Sequence, residues 1–200
     1  MKKIKMVFAS SNAGKIEEMK LLVEKNLSGF EVDLLGLKDV GFTEEIIEDG
    51  GTFEANAEIK ARALFDYTGA EMICFADDSG LCVDYLGGLP GVETAHYGGP
   101  EKLLEIMKDV PDGRRGAHFS CTISCAVPGG ELFFASGRCD GIITREQTGG
   151  GGFAYDPVFW YPPEGRTFAQ MTSEEKNKFS HRAKAAELFA GKIVKYINKD

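Results

Sequence analysis

A short apolar run, Ile4 to Ala9, is broken by Ser10-Ser11-Asn12-Ala13-Gly14 and followed from Lys15 by apolar residues at Ile16, Met19, Leu22, Val23 and Leu27. The first stretch suits a buried strand, whereas the second has the period of an amphipathic helix. A strand that feeds a helix through a polar turn sets the class. Helices must then cover a sheet, which is the α/β arrangement.

The alternation continues along the chain. Phe30, Val32 and Leu34 alternate with acids as a second strand, and a loop rich in Glu and Asp follows from Glu44 to Asp49. Thr52 can cap a helix whose inner face carries Phe53, Ala57, Ala61 and Leu64. Met72 to Ala76 reads as another buried strand, which Asp77-Asp78-Ser79-Gly80 is expected to interrupt. After the Gly/Pro loop Leu86 to Gly91, Pro100 suits the first turn of a helix that buries Leu103, Leu104, Ile106 and Met107. His118 to Val127 and Leu132 to Ser136 flank Pro128-Gly129-Gly130 as a hairpin, and Pro157 to Trp160 reads as a strand. Thr172 with Glu175 forms a capping box for one short helix. Ser180 caps the next, whose apolar face is Ala183, Ala186, Phe189, Ala190, Ile193 and Ile197. The expectation is an α/β fold with a mixed sheet flanked by helices, residues 1–200 forming one domain.

Composition narrows the functions. A chain of 200 residues buries a sufficient core without disulfides or a structural metal. A net charge of −8 argues against a broad face for a nucleic-acid polymer, so basic groups for any phosphate must be gathered locally. Cys74, Cys82, Cys121, Cys125 and Cys139 show no CxxC pair and sit mostly in apolar runs, as buried reduced thiols do. No apolar run approaches the ~18 residues of a membrane span, and a soluble, cytoplasmic protein is expected.

Five segments carry candidate chemistry. The turn Ser10, Ser11, Asn12, Ala13, Gly14 and Lys15 offers backbone N–H groups and an ammonium to an anion at a helix start. It lacks the spacing of a Walker A loop. Asp77 and Asp78 repel one another unless donors or a cation offset them, and Mg²⁺ would do so. Neighbouring residues of an extended chain point to opposite sides, so one of the pair faces a ligand while the other turns to a structural partner. Glu48, Asn56 and Lys60 form a third group, with Asn56 and Lys60 on one helix face. The run Gly149 to Gly152, followed by Phe153, Ala154, Tyr155 and Asp156, suggests close backbone approach beside an aromatic that could stack on a base. Lys176, His181 and Arg182 form the fifth. Cations in the first turn of a helix oppose its dipole, so an anionic or carbonyl-bearing ligand would account for them. Phosphate-binding lysines, metal-binding carboxylates and an aromatic near Asp, His and Arg together describe a nucleoside triphosphate site.

Taken in order, Ser10 to Lys15, Glu48-Asp49-Gly50 with Thr52-Phe53 and Asn56-Ala57, Ala76 to Leu81, Gly151 to Pro157 and Ser180-His181-Arg182 resemble the inosine triphosphate pyrophosphatase family of non-standard purine NTP pyrophosphatases. The combination spans essentially the whole chain. The resemblance implies a long mixed sheet, two lobes with a cleft between them, and a homodimer. It implies hydrolysis of ITP, dITP and XTP to the monophosphate and pyrophosphate with Mg²⁺ as cofactor. By position, Asp78 and Lys60 would form the catalytic centre, with Asp78 as proton acceptor. Asp78 and Glu48 would hold the metal. Ser10 to Lys15, Lys60, Ser79 and Lys176 would hold phosphates and sugar, and Phe153 to Asp156, His181 and Arg182 would surround the base. Two departures stand out: Tyr97-Gly98-Gly99-Pro100 enters its helix directly where the family has a longer segment, and His96 replaces a usual arginine. Other readings are a pyrimidine-directed Maf-like pyrophosphatase and a nucleotide sensor without catalysis. A haloacid-dehalogenase phosphatase fits less well, because Asp77-Asp78-Ser79 lacks the DxD spacing.

Overall fold

The computed structural model describes residues 1–199; Asp200, the last residue of the expected domain, lies outside them. The strands are β1 (Lys3–Phe8), β2 (Glu31–Gly36), β3 (Ile73–Val83), β4 (Gly116–Ala126), β5 (Leu132–Ile143), β6 (Phe159–Tyr161) and β7 (Arg166–Thr167). The helices are α1 (Ala13–Asn26), α2 (Phe53–Tyr67), α3 (Gly99–Ile106), α4 (Ser173–Lys176) and α5 (His181–Ile197). The strands form one sheet in the order β2-β1-β3-β4-β5-β6-β7. It is mixed: β1 pairs in parallel with β2 and β3, whereas β6 is antiparallel to both β5 and β7.

The chain divides into two compact units. The first comprises Met1–Asp78, Cys121–Gly137 and Arg182–Asp200. Here α1 carries the chain from β1 to the parallel β2, the crossover that parallel pairing requires. Strand pleating then divides the core. Ile4, Met6 and Phe8 of β1 and Ile73 and Phe75 of β3 join Met19, Leu22 and Val23 of α1 and Ala186, Phe189 and Ile193 of α5. The intervening Val7, Cys74 and Ala76 join Ala61, Leu64 and Phe65 of α2. Phe75 stacks on Phe8 with ring centroids 4.9 Å apart and meets Phe189 at 4.7 Å. Thr52 caps α2 as expected, its hydroxyl accepting from the Ala55 N–H at 3.1 Å.

The second unit comprises Ser79–Ser120 and Arg138–His181. Phe119, Phe159 and Phe168 pack with Leu81, Leu103, Met107 and Tyr155 in its core. Arg115 is buried there, and its guanidinium donates to the carbonyls of Met107, Val110, Ile143 and Thr144 at 2.6–3.3 Å. The capping box of Thr172 and Glu175 is present, and Pro100 stands in the first turn of α3.

Several boundaries differ from those expected. Asp77-Asp78-Ser79-Gly80 does not interrupt a strand but lies in the middle of the eleven-residue β3, just beyond the Ile73–Phe75 stretch that pairs with β1. Extended backbone carries no objection to carboxylates when their side chains find charged partners, as these do. β5 continues to Ile143, seven residues past Ser136, and β6 begins at Phe159 because Asp156–Val158 form a 3₁₀ turn. Leu103 and Met107 are buried as expected and Leu104 is partly buried, whereas Ile106 is exposed. All five cysteines are buried with free thiols. No described helix is long and apolar enough to cross a membrane.

Truncating Phe75 removes the ring that joins Phe8 to Phe189. Phe75→Ala is expected to lower stability by about 3–5 kcal/mol, measured as a fall in the denaturant midpoint at unchanged slope.

Candidate active site

The pleat that divides the first core also divides the two adjacent carboxylates of β3. Odd-numbered Ile73 and Phe75 face α1 and α5, and Asp77 follows them. Its Oδ2 accepts from Arg182 Nε at 3.2 Å and from the Cys121 thiol, and its Oδ1 lies 3.4 Å from Lys15 Nζ. Arg182 reaches Glu18 of α1 at 2.5 Å through Nη1. Two carboxylates and two cations are thus gathered almost out of solvent. Burial alone would raise the Asp77 pKa, but Lys15 and Arg182 outweigh it and hold the carboxyl well below the usual carboxylate range. For Arg182 burial again opposes the charge, and Asp77 and Glu18 overcome it. These carboxylates explain a cation in the first turn of α5 without the ligand that the sequence alone suggested.

Asp78 faces the other way, toward α2. Capping by Thr52 starts the helix so that Asn56 and Lys60, one turn apart, both meet β3. Asn56 Nδ2 donates to Asp78 Oδ2 at 3.1 Å, and Lys60 Nζ lies 3.6 Å from Oδ1. The same ammonium meets Glu48 Oε2 at 2.5 Å. Here burial prevails: it raises the Asp78 pKa against the opposing pull of Lys60 and Asn56.

Glu48, Asp78 and Lys60 carry one net negative charge between them. Both carboxylates reach one cationic nitrogen, so a second small cation bound nearby would meet two oxygen donors. Among the described residues no group of three or more His, Cys, Asp and Glu is arranged to hold a metal. Mg²⁺ needs no such cage, because it is usually held by one or two carboxylates, waters and substrate phosphates. The donor set fits that mode.

The Ser10–Lys15 turn is a built helix start. Ser10 Oγ accepts from the Asn12 N–H at 3.2 Å, and Asn12 Oδ1 caps α1 by accepting from the Lys15 N–H at 3.1 Å. Ser11, Asn12, Ala13 and Gly14 are exposed and the first turn holds no acid, so the positive end of the helix dipole is open to an anion. Lys15 stands beside it, held by Asp77.

The remaining candidates belong to the second unit. Ser79 lies half-buried in β3, next to Asp78. Phe153 is exposed, Ala154 takes a left-handed φ of 51°, and Tyr155 is buried. Asp156 is buried as well; its Oδ2 accepts from the Phe153 N–H at 2.7 Å and from Lys176 Nζ at 2.8 Å. His181 stacks on Phe119 with centroids 4.8 Å apart. The glycine run is fixed at both ends: a Cβ on Gly149 would lie 2.7 Å from the Ala169 backbone, and one on Gly152 would lie 2.6 Å from Asp156 Oδ2. Asp156 therefore shapes its own loop, and Lys176 is neutralised by it. Sequence reasoning missed Glu18 and Cys121 as partners of the Arg182–Asp77 pair. Glu18 stands one turn beyond Lys15 on the same helix, a spacing that could have indicated it.

The two carboxylates should respond oppositely to removal of charge in metal-free protein. Asp77, lowered in the fold, contributes stability that is present above its unfolded pKa of about 3.9 and lost as pH falls toward its folded value. Asp77→Asn is therefore expected to cost about 3–5 kcal/mol at pH 7, less in acid. Asp78, raised in the fold, carries a cost present above its folded pKa and absent below the unfolded one. Asp78→Asn should melt at or above the parent temperature at neutral pH and lose that advantage toward about pH 4. Melting curves in EDTA across pH check both signs.

The sequence model of the Ham1 family matches residues 6–192. The chain is 44% identical over 188 residues to the dITP/XTP pyrophosphatase of Bacillus licheniformis, covering 90% of this chain and 93% of the relative. Identity to the protein of the same name from Clostridium perfringens is 42% over 195 residues, covering 92% and 94%. Among solved structures, the Ham1 protein of Staphylococcus aureus superposes with a TM-score of 0.82 at 32% identity, covering 96% of this chain and 99% of that one. A HAM1 protein from Coxiella burnetii gives 0.85 at 33% identity, again covering 96% and 99%. A match running from β1 into α5, joined to agreement in fold with proteins of the same description, shows that the chain belongs to the Ham1 family.

Proposed function

We propose that this chain is a Mg²⁺-dependent pyrophosphatase that hydrolyses non-standard purine nucleoside triphosphates, dITP, ITP and XTP, to the monophosphate and pyrophosphate. Relatives 41–44% identical over nine-tenths or more of the chain bear the name dITP/XTP pyrophosphatase, which supports the substrate class. The observation that carries the chemistry is the Asp78 carboxylate, buried against Lys60 and Asn56 with Glu48 on the same ammonium.

In this reading Asp78 takes the proton of a water attacking the α-phosphorus. Burial raises its pKa and so makes it a stronger base than a solvated carboxylate. Mg²⁺, held by Asp78 and Glu48, would offset charge on the phosphate oxygens and favour loss of pyrophosphate. Lys60 adds fixed positive charge at the same centre, and the N–H groups of Ser11, Ala13 and Gly14, with the Ser10 and Asn12 side chains and Lys15, receive phosphate oxygens. Ser79 and Lys176 are assigned to phosphate and sugar. Phe153 is assigned to stacking on the base, and Ala154, Tyr155, Asp156, His181 and Arg182 to its surroundings. Since Asp156 and Arg182 already hold Phe153, Lys176, Asp77 and Glu18, their contribution includes fixing those groups in place. The cleft between two lobes, the homodimer and the cytoplasmic location implied by the family resemblance are proposed with it, as is the action of residues 1–200 as one catalytic domain.

Pyrophosphate release from dITP, ITP, XTP, dGTP and ATP, with Mg²⁺ and with EDTA, tests the reading. The first three should be cleaved in preference to the others, and EDTA should stop turnover. Asp78→Asn should lower kcat by about 10²–10⁴-fold, and heavy-oxygen water should label the monophosphate. Wild-type turnover in that variant, or label in pyrophosphate, would contradict the assignment.

A further inference from the structure

A second polar side chain is nine-tenths buried beside Asp78. Asn56 occupies the α2 position that faces β3, and each end of its amide has one partner. Oδ1 accepts from the Gly50 N–H at 2.8 Å, and Nδ2 donates to Asp78 Oδ2 at 3.1 Å. The orientation is forced. A backbone N–H can only donate and an ionised carboxylate can only accept, so only one setting of the amide satisfies both. Asp78 thereby has its two oxygens distinguished, with Oδ2 on Asn56 and Oδ1 toward Lys60.

The other end of the amide holds the acidic loop. Gly50 follows Glu48 by two residues, and its approach to Asn56 leaves no room for a side chain. A Cβ there would lie 2.5 Å from Asn56 Oδ1, 2.8 Å from Ala55 Cβ and 2.9 Å from the Asn56 nitrogen. Gly50 has no left-handed φ to require glycine, so contact alone excludes a larger residue. One short amide supplies both the acceptor and the donor that these two partners need. Aspartate would offer Asp78 no donor, and alanine would remove both the acceptor for the Gly50 N–H and the donor to Asp78 Oδ2.

We propose that Asn56 is a positioning residue that sets the Asp78 carboxylate and the Glu48 loop as a single unit through the Gly50 amide. The role rests on the reading of Asp78 as the catalytic carboxylate. Asn56 touches no reacting atom; it fixes the orientation of the Asp78 carboxylate and how far Glu48 stands from it.

The test compares Asn56→Asp, Asn56→Ala, Gly50→Ala and the Gly50→Ala/Asn56→Ala double variant in full-length enzyme. It uses kinetics of pyrophosphate release from dITP, amide hydrogen exchange at Gly50 and melting curves. Asn56→Asp retains an acceptor for Gly50, so exchange there should stay slow while kcat falls about 10²-fold and KM changes by less than about threefold. Asn56→Ala should lose both the protection and the turnover. Gly50→Ala carries no chemistry of its own, yet its Cβ displaces the amide, so it should lower kcat as well. Since both act through one hydrogen-bonded unit, the double variant should be no slower than Asn56→Ala. Should an Asn56 variant fail to melt cooperatively, Gly50→Ala with the exchange measurement decides the matter. Asn56 variants within about twofold of the parent kcat, or losses that multiply in the double variant, would overturn the role. Wild-type turnover in Asp78→Asn would instead overturn the catalytic reading itself.

Discussion

Taking a carboxylate into the interior of a sheet costs several kcal/mol unless charge and hydrogen bonds offset it. β3 carries two in succession, in a strand hydrogen-bonded on both sides. Asp77 is held by Lys15, Arg182 and the Cys121 thiol, and Arg182 in turn by Glu18. Those contacts fasten the start of α1 and the first turn of α5 to the same strand. Breaking one leaves a buried charge without its counterpart, so the network is rigid because no member can leave cheaply.

Asp78 lies one residue on and one pleat over, in a different electrostatic setting. Two carboxylates share one ammonium, and burial raises its pKa despite Lys60 and Asn56. The protein does not minimise the energy of this side chain. Burial that raises the pKa of this carboxylate favours its taking a proton or meeting a cation, and both would serve hydrolysis of a phosphoric anhydride. The division of labour follows from pleating: one neighbour stabilises the frame, and the other is kept in a state that the frame alone would not favour.

Much of the fold was legible because its signals are local. The strand–turn–helix opening, the Thr52 cap, the Thr172–Glu175 capping box and the apolar face of α5 all appear where spacing indicated. The continuation of β3 through Asp77 and Asp78 was not, because the partners that permit it come from Lys15 and Arg182, far away in sequence. The divergence of the two aspartates could be read from strand geometry alone. Arg182 shows the opposite case: a cation at a helix start suggested a ligand, whereas Glu18 and Asp77, remote in the chain, already meet it. Asp156, expected near the base, also organises the Phe153 loop and Lys176 through its carboxylate, which spacing did not reveal. Pairings between distant segments leave no periodicity to detect.

In the proposed reaction the cation and the reacting phosphate belong to Asp78 and not to Asp77. The most direct measurement is a crystal structure of the protein with Mn²⁺ and a non-hydrolysable dITP analogue, with the metal located by its anomalous scattering. Mn²⁺ should lie on the carboxylates of Asp78 and Glu48 and on phosphate oxygens, with Asp77 still paired to Arg182. Metal on Asp77, or metal and phosphate bound away from Asp78, would contradict it.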